Sequence, residues 1–154
     1  MNDIRHNARI IALQKLFESS FPGIIPQDNS EQGFAFDSLK ELDEISDIDS
    51  LLIQKLLLGV INNYQLIDEI IFQLAPDWPI NKINKVDLQI LRIAILEGFL
   101  VKITPEKVAI NEAIELSKEF SNEQSRRFVN GVLGNLLINQ KKILTDEILK
   151  RISH

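Results

Sequence analysis

The stretch from residue 85 to residue 102 constrains the fold most, because apolar side chains occupy nearly every side of it. They are Ile90, Leu91, Ile93, Ala94, Ile95, Leu96, Phe99 and Leu100. A helix that is apolar all round must be enclosed by other elements and does not lie on a surface. This stretch is therefore predicted to be the central helix. Arg92 interrupts it, and a buried arginine must be paired, so a salt bridge to a neighbouring helix is expected, with Glu112 as one candidate.

The remainder of the chain also has helical spacing of apolar residues and almost no strand signal. The predicted helices cover residues 3–21, Phe36–Ile45, Asp49 to about Leu74, a helix begun by Thr104-Pro105-Glu106, one begun by the capping box at 121–124, and about Asp146–Ile152. Asp3, Asp49 and the hydroxyl group of Thr104 are expected to cap their helices, since these oxygens accept bonds from free N–H groups there. The expected fold is all-α, with about seven helices in a single domain spanning residues 1–154.

Three glycines and one tryptophan have predicted packing roles. Gly59 lies inside the long second helix, where glycine costs about 1 kcal/mol relative to alanine, so it is expected to mark a close helix crossing. Gly131 and Gly134 fall inside a helical pattern, so they are expected to permit close packing and not to cradle a phosphate. Trp78, between two prolines, is expected to cap the core.

The formal charge of −5 is unevenly distributed. Residues 27–50 carry eight acids and one lysine, so the rest of the chain is slightly basic and a local basic face is allowed. The sequence contains no cysteine, which excludes disulfides and thiolate metal sites. Neither a signal peptide nor a membrane-length apolar run is evident, so a cytoplasmic protein is expected.

Residue types that catalyse reactions are scarce. The only histidines are His6 and His154, which are too few and too far apart to form a histidine-based metal site. No Ser-His-Asp or Cys-His arrangement can be assembled from this sequence. No carboxylate stands alone in an apolar context that would raise its pKa. The sequence therefore predicts a protein that is not an enzyme, with no metal and no cofactor.

Basic and aromatic residues suggest a nucleic-acid surface instead. Arg5 and Arg9 are four residues apart, with His6 beside them, and are expected to share an exposed helix face that meets phosphates. Arg126 and Arg127 stand in the first turn of a helix, where the helix dipole disfavours cations, which hints at an anionic partner. Phe17 and Phe128 are candidates for stacking on bases. The alternatives left open are ordinary solvated arginines, core phenylalanines and a solvated face formed by Glu112, Glu115 and Glu119.

Several sequence blocks resemble one known family. PEKVAINEAIELSK at residues 105–118, followed by SRRFVNGVL at 125–133, resembles the signature of the NusB transcription-antitermination family. Asp87-x-x-Ile-Leu-Arg-Ile-Ala-x-x-Glu97, with Trp78 upstream, also matches in order and spacing. The specific similarity covers residues 77–138 and extends to the first helix, whereas residues 22–47 show little or none.

The resemblance implies two small helical bundles packed together. It also implies binding to the boxA element of ribosomal RNA leader transcripts, together with the ribosomal protein NusE, in the transcription elongation complex. The RNA-binding residues that it implies, with those proposed above, are Arg5, His6, Arg9, Phe17, Asp87, Arg126, Arg127 and Phe128.

The first helix departs from the family. Only Arg5 and Arg9 remain of an arginine-rich run, with His6 and Asn7 where further arginines are common, so weaker and less salt-dependent RNA binding is expected. One alternative is a helical module with reduced RNA binding that binds another protein or associates with itself, for example as a homodimer. Another is a domain attached to an RNA cytosine methyltransferase, which the absence of a catalytic segment in this chain disfavours.

Overall fold

The computed structural model describes residues 3–20 and 49–154. Within these ranges the helices are α1 (Ile4–Ser19), α2 (Ser50–Leu74), α3 (Lys85–Ile95), α4 (Glu106–Phe120), α5 (Glu123–Ile143) and α6 (Asp146–Lys150). A short 3₁₀ turn (Ile80–Lys82) precedes α3, and a π-helical turn (Leu96–Leu100) continues it. The described ranges contain no strand, which confirms the all-α prediction. Six helices are found there, and the helix predicted at Phe36–Ile45 lies outside the described residues.

Helix α3 occupies the centre, as its sequence predicts. It packs against α1, α2, α4 and α5, while α1 also packs on α2, and α4 on α5. Its apolar residues from Leu88 to Ile95 are all buried, and so are all five residues of the π-helical turn. Two helical groups therefore meet at α3, which confirms the expectation of two packed bundles.

The two aspartate caps predicted from the sequence are confirmed. The carboxylate of Asp3 accepts bonds from the backbone N–H groups of Arg5 and His6, at 3.0 and 3.2 Å. Asp49 accepts from the N–H of Leu52 at 3.0 Å. Such caps satisfy N–H groups that have no partner within the helix, and each stabilises its helix by roughly 1 kcal/mol.

Glycine permits two close helix contacts near the π-helical turn. A methyl group at Gly59 of α2 would overlap the side chain of Leu96, so the predicted crossing is confirmed. A methyl group at Gly98 would lie 2.7 Å from the Cβ of Ala109 in α4. In contrast, no atom lies within 4 Å of a methyl group built at Gly131 or Gly134. The prediction that these two glycines permit close packing is wrong, because they face open space.

Arg92 forms the expected salt bridge, but with Asp68 of α2 and not with Glu112. Its Nε and Nη2 donate to the two carboxylate oxygens of Asp68 at 2.9 and 2.7 Å. Its guanidinium also lies over the ring of Tyr64, 5.5 Å from the centroid. Arg92 therefore links α3 to α2.

The start of α4 differs from its predicted form. Thr104 was expected to cap the helix with its hydroxyl group, but no side chain caps α4. The Thr104 hydroxyl instead donates to the carboxylate of Glu97 at 2.5 Å. A buried carboxylate requires hydrogen-bond donors, so this partner takes precedence over the exposed helix end.

None of the helices in the described ranges is long and apolar enough to cross a bilayer.

Candidate nucleic-acid interface

A cleft of about 240 Å³ lies between the N-terminal ends of α3 and α5. Its lining combines two aromatic rings, several amides, one lysine and one buried carboxylate: Trp78, Lys82, Ile83, Asn84, Asp87, Asn122, Gln124, Ser125 and Phe128. Two asparagines fix its edges. The side-chain oxygen of Asn84 accepts from Val86 N–H, and that of Asn122 accepts from Ser125 N–H, both at 2.8 Å. The caps that start the two helices thus also shape the cleft.

The aromatic wall consists of Trp78 and Phe128. Their rings meet edge to face, with centroids 5.9 Å apart. Trp78 is 51% exposed, so the prediction that it caps the core is wrong. Phe128 is half-buried and packs against the core with part of its ring. An exposed indole held by a partly anchored phenylalanine provides a face on which a nucleobase can stack.

Asp87 lies in the first turn of α3 and is only 5% exposed. Burial raises its pKa above the ordinary aspartate value, an effect opposed by hydrogen bonds from Ser125 and Ser121. The Ser121 hydroxyl donates to Asp87 Oδ1 at 3.4 Å. Ser121 was expected to begin the capping box of α5, but Asn122 caps that helix and Ser121 turns to Asp87. Contrary to the sequence-based expectation, burial does therefore raise the pKa of a carboxylate, that of Asp87.

Arg126 and Arg127 lie next to the cleft in the first turn of α5. Both approach Glu123, with nitrogen–oxygen distances of 3.8 and 2.9 Å. Arg127 is 77% exposed, so its ion pair is screened by water and contributes little to stability. One acid faces two arginines, and the first turn keeps a net positive charge.

The N-terminal part of α1 lies against α4. Arg5 is exposed, and its Nη2 donates to the hydroxyl group of Thr104 at 3.3 Å. His6 lies between two acids of α4: Nδ1 is 2.8 Å from Glu112 Oε2, and Nε2 is 2.7 Å from Glu119 Oε1. Glu112 was expected to be solvated but is partly buried, whereas Glu119 is exposed, as expected. Phe17, farther along α1, is half-buried.

Arg9 is enclosed by protein. It is 2% exposed, and its Nε lies 3.0 Å from both carboxylate oxygens of Glu97, while Nη2 donates to the same carboxylate. Its Nη1 is 3.5 Å from Glu112. The prediction that Arg9 shares an exposed face with Arg5 is wrong. A guanidinium inside the protein requires a paired charge, and Glu97 of the π-helical turn provides it.

The candidate residues of the cleft and those of α1 approach each other at the C-terminal end of α4. Glu119 binds His6 of α1, and Ser121, two residues later, binds Asp87 of the cleft. Asp87 and Phe128 were predicted from the sequence, whereas the amides of the cleft were not. Asn84 and Asn122 are recognisable in the sequence only as helix caps, a role that does not reveal the space between them.

The stability of the protein should depend on the charge of His6. Both ring nitrogens face carboxylates, and the protonated ring can donate a hydrogen bond to each of them. Glu112 is the main reason that the pKa of His6 is raised above its ordinary value, with Glu119 adding to it and burial opposing it. A raised folded-state pKa gives stability that is complete below the unfolded value of about 6.5 and is lost as the pH rises through the folded-state pKa.

Urea unfolding across this pH window tests the prediction. The free energy of unfolding of the wild type should fall as the pH rises above about 6.5. His6→Gln should remove most of this slope, whereas His154→Gln, which replaces the second histidine, should retain it. Identical slopes in the wild type and His6→Gln would show that His6 is not held as the cation.

The fold and the cleft define an all-α protein of two packed bundles with a candidate binding site where helix ends meet. The NusB family model matches residues 6–137. The chain belongs to the NusB family, and the resemblance drawn from the sequence blocks is confirmed.

Curated relatives cover most of the chain. Transcription antitermination protein NusB of Caldicellulosiruptor saccharolyticus is 42% identical over 107 residues, which cover 70% of this chain and 82% of the relative. Its counterpart in Clostridium acetobutylicum is 38% identical over 133 residues, covering 86% of this chain and 94% of the relative.

Solved structures share the fold. NusB of T. maritima has a TM-score of 0.65 and 27% identity, and the match covers 97% of this chain and 99% of that one. A structure of antitermination factors NusB and NusE in complex with dsRNA has a TM-score of 0.67 and covers 97% and 98% of the two chains. Its identity is 23%, so this likeness concerns the fold alone.

Proposed function

We propose that this protein is a non-enzymatic transcription-antitermination adaptor. It forms a single domain over residues 1–154 and acts in the cytoplasm. Together with NusE it binds boxA RNA of ribosomal RNA leader transcripts, and it joins the transcription elongation complex. Membership of the NusB family supports this function, as do relatives that carry the name transcription antitermination protein. A protein of the same fold is known in a complex with NusE and dsRNA.

The observation that carries the proposal is the cleft at Trp78 and Phe128. The half-exposed indole of Trp78 offers a face to a base, and stacking of a base on an aromatic ring contributes about 1–3 kcal/mol. Arg126 and Arg127 lie beside it with one acid between them, which suits a phosphate backbone. The aromatic rings thus bind bases while the arginines hold the strand.

Within α1, Arg5 is the residue that we assign to RNA. Its guanidinium is exposed and, among residues 3–20 and 49–154, donates to one hydroxyl group, which leaves donors for a phosphate. Arg9 is left out of this interface because Glu97 occupies it inside the protein. His6 is bound to two glutamates, so its role is to hold α1 against α4. With one free arginine in α1, most of the affinity depends on the cleft and on NusE.

Trp78→Ala tests the cleft. The affinity for a boxA-containing RNA, measured by fluorescence anisotropy without NusE, should fall by about 5- to 100-fold if one stacked base is lost. The matched control is Phe72→Ala on α2, because Phe72 is 52% exposed and Trp78 51%.

Arg127→Ala should lower the slope of log affinity against log salt by about 0.7 units, as expected for one single-strand phosphate contact.

Three outcomes decide the proposal. Affinity for boxA RNA above that for a scrambled RNA, and a further rise on addition of NusE, support it. Equal binding of boxA and scrambled RNA with NusE present overturns it. If size-exclusion chromatography with light scattering then shows a stable homodimer, the protein is a self-associating helical module instead.

A further inference from the structure

We propose that the surface of α2 between Asn63 and Phe72 is a peptide-binding site, which the chain's own residues 151–153 occupy until a partner displaces them. The partner is an extended peptide that carries an arginine followed by a branched apolar residue. None of the residues of α2 that form this site lines the cleft, so the inference goes beyond the proposed function and does not depend on it. Residues 145–154 are here called the terminal segment.

Asn63 binds the backbone of the terminal segment. It is 3% exposed, and its side-chain oxygen accepts a hydrogen bond from the N–H group of Ser153 at 2.7 Å. Its Nδ2 donates to the carbonyl oxygen of Ser153 at 2.9 Å and to that of Gly59 at 2.8 Å. The oxygen and both donor hydrogens of the amide are therefore used. Because the bonds to Ser153 involve only main-chain groups, this part of the site accepts residues other than serine.

Glu69 binds the residue two positions earlier in the terminal segment. Its carboxylate oxygens accept from Nη1 and Nη2 of Arg151 at 2.7 and 3.0 Å. Two parallel bonds of this kind fit a guanidinium and not an ammonium group, so arginine is preferred to lysine. Between these two contacts, Ile152 is half-buried and packs against the core. The site thus recognises an arginine, a branched apolar side chain and a main-chain unit in sequence.

The terminal segment is held loosely enough to be exchanged. None of the residues of α6 is buried, and Ile148 and Ile152 contact the core as half-buried side chains. The ion pair between Arg151 and Glu69 is about half exposed on both sides, so water screens it and it contributes little to stability. Segments with few buried contacts open at a lower free energy than the core of a protein. The terminal segment can therefore leave α2 while the other helices stay packed.

A groove of about 570 Å³ continues along α2 from Glu69. It is lined by Gln65, Asp68, Glu69, Phe72, Gln73 and Ile80. The ring of Phe72 is 52% exposed there, which gives the groove an apolar surface that water covers. No residue of the terminal segment lines the groove, because the residues that precede Arg151 coil into α6.

The direction of the terminal segment places a longer peptide in this groove. Arg151 lies at Glu69 and Ser153 lies at Asn63, so the segment runs antiparallel to α2. In an extended peptide bound in the same way, the residues before the arginine would lie beyond Glu69, beside Phe72, which is almost one helical turn farther along α2. Apolar side chains at those positions would cover the Phe72 ring and remove it from water. A partner peptide therefore makes the contacts of residues 151–153 and gains others that the terminal segment does not make.

Binding of a peptide in trans tests the inference. The full chain with Arg151→Ala and Ile152→Ala keeps α2 unchanged and weakens the segment that occupies it. A labelled synthetic peptide of residues 145–154 should bind this double variant at least about tenfold more tightly than the wild type in fluorescence anisotropy. In the wild type the attached segment competes with the peptide at a high effective concentration, of the order of millimolar.

Two changes at the ion pair check where the peptide binds. Glu69→Ala, added to the double variant, should lower the affinity for the peptide by about tenfold, and so should alanine in place of the arginine of the peptide. Glu115→Ala is the matched control in the same background. Glu115 is also about half exposed and paired with a basic side chain, that of Lys118, but it lies on α4, so the affinity should not change.

The melting temperature of each variant accompanies the binding assay. Tight binding by a double variant that melts close to the wild type supports the inference. Absence of binding to the double variant overturns it, and so does binding that Glu69→Ala leaves unchanged. A melting temperature more than about 10 °C below that of the wild type also overturns it, because the terminal segment would then be an integral part of the fold and not an exchangeable occupant.

Discussion

Replacing Glu97 with alanine is expected to destabilise the protein by about 3–5 kcal/mol, because it leaves Arg9 as a buried charge without its main partner. Glu97 is 1% exposed and accepts bonds from Arg9 and from the hydroxyl group of Thr104. These bonds join α1, the π-helical turn and the segment that precedes α4. The loss should therefore affect the packing of α1, and not the turn alone.

Chemical unfolding measures this effect, and two variants serve as controls. Glu115→Ala removes a glutamate of α4 that is half exposed and pairs with Lys118, so little change is expected. The combined change Arg9→Met with Glu97→Leu replaces both charges by apolar groups and should recover most of the stability. A loss below about 1 kcal/mol for Glu97→Ala would mean that the pair is hydrated and not buried.

The burial of Arg9 also changes how RNA experiments should be designed. An Arg5→Ala/Arg9→Ala double variant is expected to lose RNA binding because its α1 is poorly packed, whether or not Arg9 meets RNA. Arg5→Ala alone is the informative variant, since Arg5 is exposed and makes one hydrogen bond to a side chain. The spacing of the two arginines in the sequence does not reveal this difference.

One substitution, glycine to alanine, should have opposite effects at two helical positions. At Gly98 the added methyl group would lie 2.7 Å from the Cβ of Ala109 and 3.4 Å from the Cα of Glu106. These atoms belong to α4 and cannot rotate away, so overpacking should cost about 1–3 kcal/mol. At Gly131 no atom lies within 4 Å, and alanine should stabilise α5 by up to about 1 kcal/mol.

Melting temperatures of Gly98→Ala and Gly131→Ala, recorded with the wild type, test both signs at once. Gly98→Ala should melt below the wild type and Gly131→Ala above it. Gly134→Ala should behave like Gly131→Ala, because its surroundings are also open. If Gly98→Ala is as stable as the wild type, the contact between the π-helical turn and α4 is looser than described.

Local chemistry made several elements predictable. The absence of a polar face between residues 85 and 102 identifies the central helix, because such a surface cannot remain in water. The caps at Asp3 and Asp49 are predictable for a similar reason, since each depends on residues two or three positions away. The family blocks at 105–118 and 125–133 are contiguous in the sequence. These features require no knowledge of which helices are neighbours.

The candidate site was only partly predictable. Asp87, Arg127 and Phe128 were found through the family blocks, but the cleft that they border requires Trp78, Asn84 and Asn122 as well. The open positions of Gly131 and Gly134 were also missed, because a small residue is compatible both with a close crossing and with an exposed surface. Helical spacing predicts which residues share a face but does not identify what lies opposite.

The sequence by itself determined the class of fold, the central helix and the shortage of catalytic residue types. Only the tertiary structure decided which charges pair, because the partners are distant along the chain. Arg9 meets Glu97 across 88 positions, Arg92 meets Asp68 across 24, and Ser121 reaches Asp87 across 34. Each of these bonds forms because helix packing brings two polar groups together away from water, where an unpaired charge is costly. The way the helices pack decided that Arg9 is enclosed in the fold while Arg5 remains exposed.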